Sequence, residues 1–443
     1  MAYKLMLTNS KILSLTLLIV CTSANSKCLT NTDCGILYEC QNSVCLHKSL
    51  SPIHPTEYFA SVIVFLMSAL TNSTGFGGGE IMVPLLILLF FFNTHLAVPL
   101  SLVIMLGSSF IRTILCLPER HQKLDRPIID YTLVAFILPP LLAGSTLGFF
   151  LNRVLPGWTI LSLMTCLLCY LTVHIGNRAR RSFYQARKIE TSEYVHDTLP
   201  DEKTGVIKPA VQPEIFPIKP IVVISLVFVF SLMMVFIRGD THKESIFGVA
   251  FNSEKFWVIV VINAIVLLFV SMYGIFALCK RSRSLAEQNY CFMHDVRWNV
   301  RKSSFVVVMA VVAGLGIGIL GIGGSAIINP AMVYVGVHHD VTRATVRAAV
   351  FLTCSVTLVQ YVHAGMVMNS YALWFFGISL LGAGAGTSMI MHSVRKFDKR
   401  YLPLIILAFI LAVTTVVTPT YVITNVMKGV MNENWQNSVY QMF

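Results

Sequence analysis

The chain has 443 residues; 55% are hydrophobic, only 12% are charged, and the mean hydropathy is +0.72. A soluble domain carries about 25% charged residues, so this composition excludes an ordinary soluble enzyme and a disordered chain and points to a polytopic membrane protein. The net charge of +12 then becomes a matter of which loops carry it, and no nucleic-acid partner is expected.

The first segment, residues 1–24, reads as a secretory signal peptide. Lys4 and Lys11 precede an apolar run from Ile12 to Cys21, and the small residues Thr22, Ser23 and Ala24 follow. Charge, apolar run and small residues in that order predict cleavage near Ala24 or Ser26. Residues 25–57 form a polar segment holding Cys28, Cys34, Cys40 and Cys45. Four cysteines just after a signal peptide predict two disulfides in an oxidising compartment. A zinc site would need C-x2-C pairs, which this spacing lacks, so no metal is expected. The spacing does not choose among the pairings. The other cysteines lie in or beside apolar runs and read as buried thiols, Cys166 and Cys169 included.

Apolar runs then fill the chain from Tyr58 to Ile423, most of them long enough to span a bilayer. Two places differ. Tyr58–Phe92 is split by a stretch containing Gly75, Gly77, Gly78 and Gly79. Phe305–Val337 is split by Gly321, Ile322, Gly323, Gly324 and Ser325. Glycines this dense do not continue a helix. Each region is therefore expected to be a helix-break-helix hairpin that enters and leaves on one side.

Charge tests that expectation. With the cysteine segment outside, the loops Pro118–Arg126, Arg178–Lys219, Lys280–Lys302 and Arg395–Arg400 all face the cytosol and hold 21 of the 33 Lys and Arg residues. The opposite side holds seven after the signal. This is the positive-inside bias; counting each hairpin as one crossing would destroy it. The expected fold is thus an all-α polytopic membrane protein of two inverted repeats. Each repeat is a glycine-broken hairpin plus three spans, at 58–177 and 304–425. Between them lie a basic cytosolic loop (178–219), an extra helix pair (220–279) and a second cytosolic loop (280–303). A non-cytosolic tail covers 426–443. The breaks also agree in letters: Gly75–Pro84 aligns with Gly321–Pro330 at three glycines, one isoleucine and one proline.

Broken elements at matching places of two halves point to a transporter's binding site. Irregular backbone at membrane depth is tolerated where it is buried in protein or lines a wet cavity. Two breaks meeting near the midplane would aim helix N-termini, with their partial positive charge, at an anion. The expected substrate contacts are Ser73, Thr74, Gly75, Gly77, Gly78, Gly79, Ser101, Arg112, Gly321, Gly323, Gly324, Ser325, Asn329 and Arg347. Asn72, Ser108 and Thr345 are polar neighbours. Arg343 and Arg347 stand four residues apart at a span start and read equally well as cytosolic-end anchors. Glu80, directly after the first break, is a candidate proton-coupling group. Neither break has the P-loop pattern. No nucleophile–base–acid set or cofactor fingerprint appears, so neither an enzyme nor a cofactor is expected.

At Gly75–Pro84, Gly321–Pro330 and the Ala- and Ser-containing segments after each, the sequence resembles the sulfite exporter TauE/SafE family of membrane proteins. The resemblance covers about Tyr58–Gly176 and Phe305–Ile423. It implies export of small sulfur-containing or organic anions, such as sulfite or sulfonates. The added signal and cysteine segment look like those of a eukaryotic member in the secretory pathway or plasma membrane. The expected partners are a small anionic substrate and the lipid bilayer, with a homodimer left open. The alternatives are an anion channel, or a non-transporting adaptor that uses the cysteine segment and the Arg178–Lys219 loop for partners.

Overall fold

The computed structural model describes residues 28, 30, 34, 37–41, 43–74, 78–119, 127–192, 218–241, 245, 247–287, 296–397 and 402–431. The signal segment, the heart of the basic loop (193–217) and the C-terminal tail from 432 lie outside the described residues. The described chain opens with a two-stranded antiparallel hairpin, β1 (Tyr38–Gln41) and β2 (Val44–His47), in which Cys40 pairs across to Cys45. Twelve helices follow among the described residues: α1 (Pro55–Thr74), α2 (Gly79–Leu89), α3 (Thr94–Cys116), α4 (Tyr131–Val154), α5 (Gly157–Ser192), α6 (Ile218–Arg238), α7 (Glu254–Glu287), α8 (Val300–Leu320), α9 (Ser325–Val335), α10 (His339–His363), α11 (Asn369–Phe397) and α12 (Leu402–Met431). Seven of them, α3 to α8 and α10, are long and apolar enough to cross a membrane.

Local chemistry sets the ends. Pro55 opens α1, where its missing N–H costs nothing. Asp130 caps α4 by accepting from the N–H groups of Thr132 (3.0 Å) and Leu133 (3.2 Å). Gly321 stops α8 in the left-handed region, with φ +66. The short helices α2 and α9 have 11 residues each and carry Pro84 and Pro330.

Packing follows the small residues. α4 lies along α8, and α1 lies along α11. On α4, a Cβ at Gly148 would stand 2.6 Å from the Leu315 carbonyl, and one at Gly144 would meet the Val311 carbonyl. On α11, a Cβ at Gly382 would stand 2.7 Å from the Phe65 carbonyl, and one at Gly386 would meet the Ala69 backbone. Both pairs are small residues four apart, the spacing that brings membrane helices into backbone contact. α3 packs on α10 and α11, α10 also on α4, and α5 on α12, where Thr172 and Thr415 share a hydrogen bond of 2.8 Å.

Polar contacts mark two ends of the bundle. At one, Lys302 Nζ at the start of α8 donates to Val335 O at the end of α9 (3.3 Å), and Arg281 on α7 donates to Thr132 on α4 (3.0 Å). Arg178 on α5 meets His339 on α10 at the same end. At the other, Lys48 pairs with Glu57 at the start of α1 (2.8 Å), and His47 meets Phe90 O at the end of α2 (2.9 Å). Arg153, at the end of α4, pairs with Asp240 just after α6 (2.7 Å). Each hairpin therefore returns to the end at which it started.

One expectation needs correction and one point is settled. The disulfides are Cys28–Cys40 and Cys34–Cys45. Cys116 and Cys354 are buried, but Cys166 and Cys169 are exposed on the outer face of α5. Their run is apolar all round, so hydropathy does not say which face meets protein. The basic loop is also partly helical: α5 continues from Arg178 to Ser192, a stretch rich in Arg, Ala, Gln and Lys, which favour helix.

Candidate functional site

The second break is the better described. Gly321 ends α8, and Ile322, Gly323 and Gly324 lead into α9. Gly324 is the N-cap of α9 with φ +56, and its carbonyl accepts from Ile327 (3.1 Å) and Ile328 (3.0 Å). The first break ends the same way. Gly78 is the N-cap of α2 with φ +85, and its carbonyl accepts from Ile81 (3.1 Å) and Met82 (3.3 Å). Only glycine takes this backbone without strain. Neither helix start has a side-chain cap.

The two breaks touch. A Cβ on Gly79 would stand 2.9 Å from Gly321 O and 2.9 Å from Gly323 N. Met105 of α3 crowds the same spot. Ser101, also on α3, fastens the junction: its hydroxyl is shared between Val98 O (2.7 Å) and Gly321 O (3.0 Å). Around it, Tyr361 donates to Gly318 O (2.6 Å) and Asn152 to Ile319 O (2.7 Å), holding the last turn of α8.

The helix starts differ in charge. Glu80 is buried in the first turn of α2, and its carboxyl lies against the backbone N–H groups of Gly78 and of Glu80 itself. A carboxylate at a helix N-terminus is stabilised there. Its Oε1 still has no hydrogen-bond partner. It faces a crevice lined by Thr71, Ile81, Leu171, Ile175, Leu407 and Leu411, with room for about one water molecule. The first turn of α9 has no acidic residue. Ser325 Oγ and Asn329 Oδ1 are buried beside it without partners, donor and acceptor capacity left unused.

The expected residues are distributed as follows. The structure brings Gly78, Gly79, Gly321, Gly323 and Ser101 into one junction. Ser325 and Asn329 lie on α9 directly beyond it. Arg347 is buried on α10 and donates to Asn72 Oδ1 at the end of α1. Glu80 is within electrostatic reach of Arg347. Arg112 is half-buried on α3, also within electrostatic reach of Arg347. Thr345 instead accepts from the Asp130 N–H (3.1 Å) and holds the start of α4. Gly75 and Gly77 lie outside the described residues, as do the side chains of Ser73 and Thr74. Met105, Asn152 and Tyr361 were not foreseen. Their only signal in the sequence is a polar or bulky side chain inside an apolar run.

The comparisons with known proteins agree with this architecture. The sulfite exporter TauE/SafE family model matches residues 60–227 and 244–417. The match runs through the 178–219 segment and much of the α6–α7 pair, further than the break motifs alone reach. Among curated relatives, sulfite exporter TauE/SafE family protein 3 of Arabidopsis thaliana is 26% identical over 80% of this chain and 76% of its own length. Family protein 2 of the same plant is 24% identical over 82% of each chain. No solved structure matches significantly. With most of its length matched by one family model, and helices long and apolar enough for a multi-pass membrane protein, this chain belongs to the sulfite exporter TauE/SafE family.

Proposed function

We propose that this chain is a secondary transporter of small anions, sulfite or organosulfonate-type sulfur anions, with its site at the junction of the two breaks. The observation that carries the reading is the contact of Gly79 with Gly321 and Gly323, which sets two helix starts against each other. The second support is the family to which the chain belongs, whose members are named sulfite exporters.

The repeats read as inverted copies. Support comes from the hairpins, which open at opposite ends of the bundle, and from the exchanged pairs α4–α8 and α11–α1. An oxyanion would be met by the uncapped start of α9, by Ser325 and by Arg347. Glu80 holds the matching position at α2 with its own negative charge. Substrate and the ionised Glu80 then compete for the same positive field. Protonation of Glu80 relieves the competition, so anion and proton are coupled.

Sealed proteoliposomes loaded with labelled sulfite, sulfate or a sulfonate test the reading. Flux that saturates and follows a pH gradient is expected. Glu80→Gln should keep flux and lose its pH coupling. No movement of any of these anions by the wild-type protein would overturn the transport reading.

A further inference from the structure

α10 carries His339, Arg343 and Arg347 at successive four-residue steps. On a helix this spacing puts all three on one face, with a rise of about 6 Å per step. The row starts at the bundle end that holds Arg178, Arg281 and Lys302 and finishes at Asn72, on the last turn before the first break. Two arginines from other helices face it. Arg178 of α5 meets His339 and is within electrostatic reach of Arg343. Arg112 of α3 is within reach of both Arg343 and Arg347. Four guanidinium groups and an imidazole from three helices thus converge on one strip.

Arg343 is the least compensated of them. The carboxylate that acts on it is Asp340, and Glu80 acts on Arg347. Among the described residues, no hydrogen bond or ion pair reaches Arg343. Arg347 donates to the neutral side-chain oxygen of Asn72. Like charges gathered in a poorly hydrated place repel one another unless an anion joins them. Guanidinium forks match oxyanions in shape and number of donors. An arginine whose role is to anchor a helix end reaches outward to water or lipid headgroups. Arg347 instead lies two turns inward and is 4% exposed.

Resting on the transport reading above, we propose that His339, Arg343 and Arg347, with Arg112 and Arg178 facing them, form a cationic relay that takes a small oxyanion from one face of the membrane to the paired breaks. Arg343 is the intermediate step. Arg347 is the last, where the incoming anion replaces Asn72 as the acceptor. The relay suits compact anions with three or four oxygens on one centre, of the sulfite or sulfate kind.

Two measurements on the full-length protein separate the relay from the transport reading. The first is thermal stabilisation of the detergent-solubilised protein by sulfite and sulfate against chloride at constant ionic strength. The wild type should be stabilised. Arg343→Gln and Arg112→Gln should weaken the apparent affinity at least 5-fold, and Arg343→Lys less. Arg297→Gln, at an exposed arginine outside the row, should match the wild type. The second is proteoliposome flux, where Arg343→Gln should raise KM about 5- to 10-fold with Vmax largely kept. Where Arg343→Gln does not fold, Arg343→Lys and Arg112→Gln carry the comparison. Unchanged affinity and KM in these variants, with the wild type still moving anions, would sink the relay and leave the transport reading standing. Arginine-dependent stabilisation without any flux would do the reverse. Absence of stabilisation by either oxyanion in the wild type would overturn the relay.

Discussion

Single glycines do unlike things in this molecule, and their surroundings say which. Gly79 has backbone of the opposite break on its open side, so even a methyl group would push on Gly321 O and Gly323 N. Rigid backbone does not yield as a side chain does, and the junction itself would open. Gly176, inside α5, has nothing within 4 Å of its missing Cβ. There alanine only removes backbone freedom and helps the helix by about 0.5–1 kcal/mol. The expected outcome is a crossed pattern. Gly79→Ala should cost at least 10-fold in anion flux with the protein still folded by gel filtration. Gly176→Ala should leave flux alone and raise Tm slightly. Equal flux in both variants would mean that the contact between the breaks is incidental.

At the scale of elements, the helix pairs α4–α8 and α1–α11 each pack a helix that precedes the 193–217 segment against one that follows it. Their seams depend on backbone approach at Gly148 and Gly382. Gly148→Leu and Gly382→Leu should each destabilise the protein by about 1–3 kcal/mol, the usual cost of overpacking. The two should cost alike if the seams are equivalent, which thermal unfolding in detergent can measure. Much of this level could be read in the letters. Gly75–Gly79 and Gly321–Gly324 announced the breaks, because glycine density is a local property. The contact of Arg347 with Asn72, 275 residues away, could not be read, because nothing local records which distant turn faces a side chain. The exposure of Cys166 and Cys169 was missed for a related reason. In a membrane, lipid and protein interior are both apolar, so hydropathy loses its power to tell inside from outside. The strand hairpin escaped because four-residue strands carry little pattern, and its disulfides rather than a core hold it.

The whole molecule is tied together at the cysteine-bearing end, where the disulfide hairpin sits on the start of α1, the end of α2 and α11. Tyr38 donates to Phe91 O (2.5 Å), and His47 stacks on Phe92 with ring centroids 4.4 Å apart. Beside them Lys48 and Glu57 form a buried pair, and Tyr371 of α11 donates to Glu57. His47 is the titratable centre of this contact. Burial lowers its pKa below the usual histidine value, outweighing the upward pull of the Phe90 and Lys48 carbonyls and of Glu57; the Lys48 ammonium adds to the lowering. The docked ring is therefore neutral at neutral pH. Undocked, His47 would take a proton near the ordinary value of about 6.5. The undocked form binds more protons, so docking is strongest above that value and weakens as pH falls below it, by up to about tenfold per pH unit, until the docked ring itself titrates. Hydrogen exchange of the Tyr38–His47 amides should then speed up between pH 7 and pH 5.5, after correction for intrinsic rates. His47→Gln can still donate to Phe90 O but does not titrate, and its protection should stay flat over the same range. Tighter protection of the wild-type hairpin in acid would show that the two carbonyls govern His47 and burial does not, and the sign of the coupling would be reversed.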